Sequence, residues 1–229
     1  MNLRTHYDAL YQNAVQKIES NGYSLDDLID SPDDQRRGIT LLIRPKEKVR
    51  LRIRQFLNEL RLIEPKQYYQ PDPDIHVTVL SIISCHPGFE LQNICVSDYI
   101  DLIGQTIKAA SPFKIRFNGV TASPSCIMVQ GFPTGNTLND VRDRLRDCFN
   151  QSGLQQSIDS RYSIQTAHMT VVRFREPLVR INEFLKVVER YRNFDFGTLS
   201  IDSIELVYND WYQRNELVKE LHRFKLAGF

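Results

Sequence analysis

Two short stretches of this chain carry residues that could do chemistry together. His76-Val77-Thr78-Val79 lies in the run DIHVTVLSII, and His168-Met169-Thr170-Val171 lies in AHMTVVRF. An imidazole has an unperturbed pKa near 6.5, so both of its protonation states are accessible at neutral pH. A pair of them facing one gap can remove a proton on one side and deliver one on the other, each role worth about 10²–10⁴ in rate. A hydroxyl beside each imidazole would hydrogen-bond the oxygens of a tetrahedral oxyanion, such as a phosphate held between them. Such chemistry needs no metal, and no His/Asp/Cys cluster in the sequence offers one a site.

A lone histidine on a strand is a structural residue in about four cases of five, and threonine is an ordinary strand residue. Repetition changes the weighing. Two chance His-x-Thr matches in a chain with five histidines have a probability of roughly a few per cent. Both copies also sit in β-branched, apolar runs of strand length. Alternation along a strand puts His and Thr, two apart, on one face, with Val77, Val79, Met169 and Val171 on the other. By the same alternation Arg173 falls on the face opposite His168 and Thr170.

The elements that must position these strands follow from the surrounding pattern. An amphipathic helix is expected over 5–20 (Tyr7, Leu10, Ala14, Ile18), closed by Asn21-Gly22. Residues 21–37 are polar and Asp-rich and read as a loop lying over the surface, with access to the cleft within their reach. A buried strand follows at 38–43, then a helix over 46–62 opened by Pro45. The basic side of that helix (Lys46, Lys48, Arg50, Arg52, Arg54) reads as a solvated face. Helices are expected at 97–110, 136–150 and 177–192, and strands at 113–121, 126–132, 199–208 and 215–226. Arg142, Asp143, Arg144, Arg146 and Asp147 are assigned to the outer, solvated face of the 136–150 helix.

Set side by side, the halves match: strand, helix, loop, His-x-Thr strand, helix, strand. The histidines are about ninety residues apart. The pattern is a duplicated α+β unit, not a short-period solenoid. Two such units pack with a pseudo-two-fold axis, giving two antiparallel sheets that line a central cleft with helices outside. The expected division is an N-terminal helix and loop over 1–37 and a bilobal domain over 38–229.

Composition limits the partners. Formal net charge is +1, so no global field exists to hold a long polyanion, while a small anionic substrate or a short nucleic acid in a local basic patch remains compatible. Cys85, Cys95, Cys126 and Cys148 form no CxxC pair and read as free thiols, most of them buried. With no signal-peptide-like start and no stretch long enough to span a bilayer, a cytoplasmic protein without membrane association is expected, as a monomer.

Two His-x-Thr-hydrophobic motifs in a duplicated α+β chain resemble the two-histidine (2H) phosphoesterase superfamily, which includes 2′-5′ RNA ligase-like proteins and cyclic nucleotide phosphodiesterases. The resemblance covers roughly 38–226. It implies a bilobal fold and metal-free hydrolysis or transfer at a 2′,3′-cyclic or 2′-5′ phosphodiester of a nucleotide or RNA end. It implies catalytic roles for His76 and His168 and phosphate binding by Thr78 and Thr170, with no cofactor. A non-catalytic module for nucleotides or RNA ends, and an acid–base enzyme on another small substrate such as a sugar, are the alternatives. Asp74 reads as a turn residue leading into the strand, and Tyr68 and Tyr69 as packing. Tyr208, Trp211 and Tyr212 either rim the pocket or cap the core.

Overall fold

The computed structural model describes residues 2–227. Helix α1 spans Leu3–Glu19, with Asn2 capping its N-terminus by accepting from the Thr5 amide. Then follow β1 (Arg37–Ile43), α2 (Glu47–Ile63), β2 (Tyr68–Tyr69), β3 (Val77–His86), α3 (Val96–Ile107), β4 (Phe113–Ser123) and β5 (Cys126–Pro133). Next come α4 (Thr137–Ser152), β6 (Met169–Arg173), α5 (Ile181–Arg190), β7 (Asp195–Ile201), β8 (Ser203–Asp210) and β9 (Lys219–Lys225). These form two antiparallel sheets, one ordered β3-β1-β8-β9 and the other β2-β6-β5-β4-β7.

The pseudo-two-fold axis relates β1 to β5, β3 to β6 and β4 to β8. Each half begins with a strand that pairs with its own His-x-Thr strand (β1 with β3, β5 with β6) and then sends its last strand away. β4 leaves the first half to pair with β5, and β8 leaves the second half to pair with β1. Helices cross over too. α2 follows β1 but packs on β7, β6 and α5, whereas α4 follows β5 but packs on α3 and β3. The strand expected at 199–208 is therefore two strands. They break at Asp202, where the chain leaves one sheet for the other.

Packing explains the helix positions. On α2 the buried residues are Val49, Ile53, Phe56, Leu57 and Leu60, an i, i+4, i+7 stripe. Its basic side is exposed or half-buried and largely ion-paired, Arg50 with Glu47, Arg52 with Asp195 and Arg54 with Asp72. Helix α1 lies against β4 and buries Tyr7, Ala14 and Ile18, and the Tyr7 carbonyl accepts from the Thr121 hydroxyl at 2.8 Å. Of the four free thiols, Cys85 and Cys126 are buried, Cys148 is half-buried and Cys95 is exposed. No helix among the described residues is long and apolar enough to cross a membrane.

One residue departs from its expected face. Arg142 of α4 is 0% exposed, not solvated. It sits on the apolar stripe with Leu138, Leu145 and Phe149, and its guanidinium bonds backbone carbonyls: Val79 at 2.8 Å, Thr78 at 3.0 Å and Thr166 at 2.8 Å. This one side chain ties the first His-x-Thr strand to the segment leading into the second.

Gly131 on β5 lies under that segment. A Cβ there would stand 1.9 Å from the Ala167 carbonyl oxygen, a backbone atom that cannot step aside without moving His168. Gly131→Ala should therefore cost about 3 kcal/mol, seen as a lowered urea midpoint. An unchanged midpoint would show that the close approach is not needed.

Candidate active site

His76 and His168 each stand one residue before their strand begins, at the ends of β3 and β6. Together with Thr78 and Thr170 they line a single cleft between the sheets. The His76 Nδ1 lies 2.7 Å from the carbonyl of Asp74. A carbonyl only accepts, so Nδ1 carries the proton and a neutral His76 turns the bare Nε2 away from it. Asp74 thus orients the imidazole through its backbone, while its buried carboxylate holds the Asn215 amide at 2.9 Å.

His168 is held differently. Its Nδ1 is 2.7 Å from the Thr166 hydroxyl, which can donate or accept. Nearby, the phenol of Tyr7 reaches in from α1 and donates to the Gly131 carbonyl at 3.2 Å. His168 therefore has two tautomers open to it and His76 has one.

Both strands carry a β-bulge just past the threonine. Thr78 pairs with Leu42 and Leu80 with Leu41, leaving Val79 extra; Thr170 pairs with Met128 and Val172 with Ile127, leaving Val171 extra. The extra residue resets the alternation and brings the position three beyond the threonine onto the cleft face, where on β3 it joins Leu80. Ser81 and Arg173 occupy these equivalent positions, and both line the cleft. The expectation that Arg173 points the other way is corrected by this bulge.

Arg173 is steadied by Asp26, 3.3 Å away, which also accepts from the Tyr212 hydroxyl at 2.7 Å. The segment before β1 is strapped down by Ser24 and Asp26 amides donating to Pro124 and Phe174 carbonyls, both at 2.7 Å. Residues 21–37 thus buttress the cleft through residues that line it and do not line it themselves. Trp211 and Tyr212 line it as well; Tyr208 does not, and neither do Tyr68 or Tyr69.

A family model described as the 2′-5′ RNA ligase superfamily matches residues 49–212. The chain belongs to that superfamily, the two-histidine phosphoesterases. Its fold is shared by TT0787, a protein of Thermus thermophilus, at 17% identity and TM-score 0.62, covering 83% of this chain and 98% of that one. Escherichia coli LigT in complex with 3′-AMP is similar at 13% identity and TM-score 0.59, over 84% and 99% of the two chains. A structure described as a phosphoesterase is similar at 12% identity and TM-score 0.56, over 84% and 99%. No curated protein sequence matches the chain.

His76 and His168 sit in a cationic, partly dry setting. Burial, and then the charges of Arg44, His168 and Arg173, lower the pKa of His76 to about 4 against the upward pull of the Asp74 carbonyl. Burial, Arg142, Arg173 and His6 lower that of His168 to about 4. Arg142 is itself depressed by burial, to about 10, and forms no ion pair among the described residues. Both imidazoles are thus neutral at pH 7 while the cleft keeps a positive potential, a combination that favours an incoming anion.

The linkage has a definite sign. With folded pKa values near 4 and an unfolded value near 6.5, the unfolded chain binds more protons in between, so stability falls as pH drops through that window. The loss should be about 2–3 kcal/mol per histidine by pH 4, allowing for partial exposure. Replacing both by Gln should flatten the pH dependence of the denaturant midpoint between pH 6.5 and 4. An unaltered slope in the double variant would contradict the lowered pKa values.

Proposed function

We infer that the protein is a metal-independent phosphodiesterase acting on a 2′,3′-cyclic or 2′-5′ phosphodiester of a nucleotide or RNA end. The observation that carries this is the convergence of both His-x-Thr pairs on one cleft whose buried cation, Arg142, has no counter-ion among the described residues. The complex of LigT with 3′-AMP, the product type expected from opening a cyclic phosphate, supports the same class.

The unequal partners of the two histidines divide the work. His76, with Nδ1–H fixed on Asp74, offers a bare Nε2 and takes the proton from the attacking water. The water oxygen bonds to phosphorus as the bond from phosphorus to one ribose oxygen breaks. His168, as the imidazolium, delivers its Nε2 proton to that leaving oxygen and is left neutral with Nδ1–H donating to the Thr166 hydroxyl. Thr78 and Thr170 donate to the non-bridging oxygens, where charge builds in the transition state. The bound anion also raises the depressed pKa of the histidines, so that one is charged when the phosphate is in place.

His76→Gln and His168→Gln should each lower kcat on a 2′,3′-cyclic mononucleotide by about 10³ or more, with EDTA present throughout. Thr78→Val and Thr170→Val should lower it by about 10–100-fold. Circular dichroism melts check that the variants stay folded. Turnover equal to the parent in either histidine variant would end this reading, and binding without product in the parent would favour a non-catalytic module.

A further inference from the structure

Hydrolysis of a phosphodiester adds charge to the phosphoryl group. The diester carries one negative charge, and the monoester it becomes carries about 1.5–2 at pH 7. A cleft that is simply cationic therefore holds its product more tightly than its substrate, and release then limits turnover. The carboxylates around the cleft bear on this imbalance.

Most of them are committed elsewhere. Asp159 is engaged by Arg146, Asp210 by Arg214, and the Asp74 carboxylate by the Asn215 amide. Of the two arginines that line the cleft, Arg161 forms no ion pair among the described residues, and Arg173 pairs with Asp26. Both members of that pair are largely buried, at 20% and 15% side-chain exposure, so salt screens them less than a surface pair.

The pair is fixed from several sides. The Asp26 amide donates to the carbonyl of Phe174, the residue after Arg173, which sets the carboxylate beside the guanidinium. One carboxylate oxygen accepts from Arg173 Nη1 at 3.3 Å and the other from the Tyr212 hydroxyl at 2.7 Å. The guanidinium carbon stands 5.3 Å from the centroid of the Tyr212 ring. Arg173 makes no other side-chain hydrogen bond among the described residues, so four of its five N–H donors are left for the cleft.

Resting on the phosphodiesterase reading, we propose that Asp26 is a positioning residue whose negative charge, acting through Arg173, sets how tightly the cleft holds a phosphate dianion and so lets the product leave. The segment before β1 thus tunes product release without touching the product. Removing the charge of Asp26 leaves Arg173 uncompensated, and the cleft binds its product too well.

The test is calorimetric titration with inorganic phosphate at pH 8, where the dianion dominates. Asp26→Asn should bind phosphate about tenfold more tightly than the parent, while Asp26→Glu should stay close to it. Asp26→Ser, also uncharged, is measured beside them and should tighten binding likewise, so the test does not hang on one variant folding. In an Arg173→Gln background Asp26→Asn should change the affinity less than twofold, because the charge it offsets is gone. Weaker or unchanged binding in both uncharged variants would overturn the proposal, since a merely structural prop loosens the site when removed. Tightening that persists without Arg173, or no phosphate binding by the parent, would overturn it as well. On a 2′,3′-cyclic mononucleotide, Asp26→Asn should lower kcat several-fold and lower KM with it. If the parent turns over no cyclic nucleotide while the phosphate coupling holds, the phosphodiesterase reading fails and the role of Asp26 as counter-charge stands.

Discussion

A buried guanidinium with no carboxylate partner among the described residues is the constraint on which this cleft depends. Moving an ion out of water costs several kcal/mol, and Arg142 offsets that by bonding three backbone carbonyls. Those carbonyls belong to Thr78, to the bulged Val79 and to Thr166, which orients His168. Removing the ion would release three acceptors in a dry interior at once. The positions of the two histidine strands are therefore not independent, since a shift of either breaks bonds that the other shares. The same ion leaves a positive charge beneath the cleft, so the device that fixes the geometry also prepares the site for an anion.

Around that anchor the two imidazoles are made unlike, although their motifs match. A carbonyl on one and a hydroxyl on the other are enough to distinguish them, because the first fixes a tautomer and the second does not. Helix α1 participates through Tyr7, which bonds the Gly131 carbonyl under the segment that leads into His168, and the acidic segment after it through Asp26 and Arg173. The N-terminal residues thus reach the site indirectly on both sides, behind residues that face the cleft.

Periodicity makes much of this legible. Apolar stripes at helical spacing locate every long helix to within a few residues, and the paired His-x-Thr runs mark the strands whose ends bear the histidines. What periodicity conceals is each departure from regularity. A bulge changes the face of everything beyond it, and no residue type announces one at Val79 or Val171, so alternation alone sends Arg173 away from the cleft. Arg142 is hidden by its chemistry: the spacing from Leu138 to Arg142 to Leu145 points inward, but a charged side chain reads as solvated. The break at Asp202 is invisible because the apolar pattern runs through it, and only sheet membership separates β7 from β8.

The exchange of β4 and β8 between the halves has a consequence for how such a molecule comes together. A fragment ending after β4 would carry a strand whose partner, β5, lies in the missing piece, and the complementary fragment would lack β1 beside β8. Neither could close its sheet alone, yet mixed together they could restore both. In one chain the arrangement makes each sheet depend on pairings between distant parts of the sequence, the kind of contact whose loop-closure entropy slows folding.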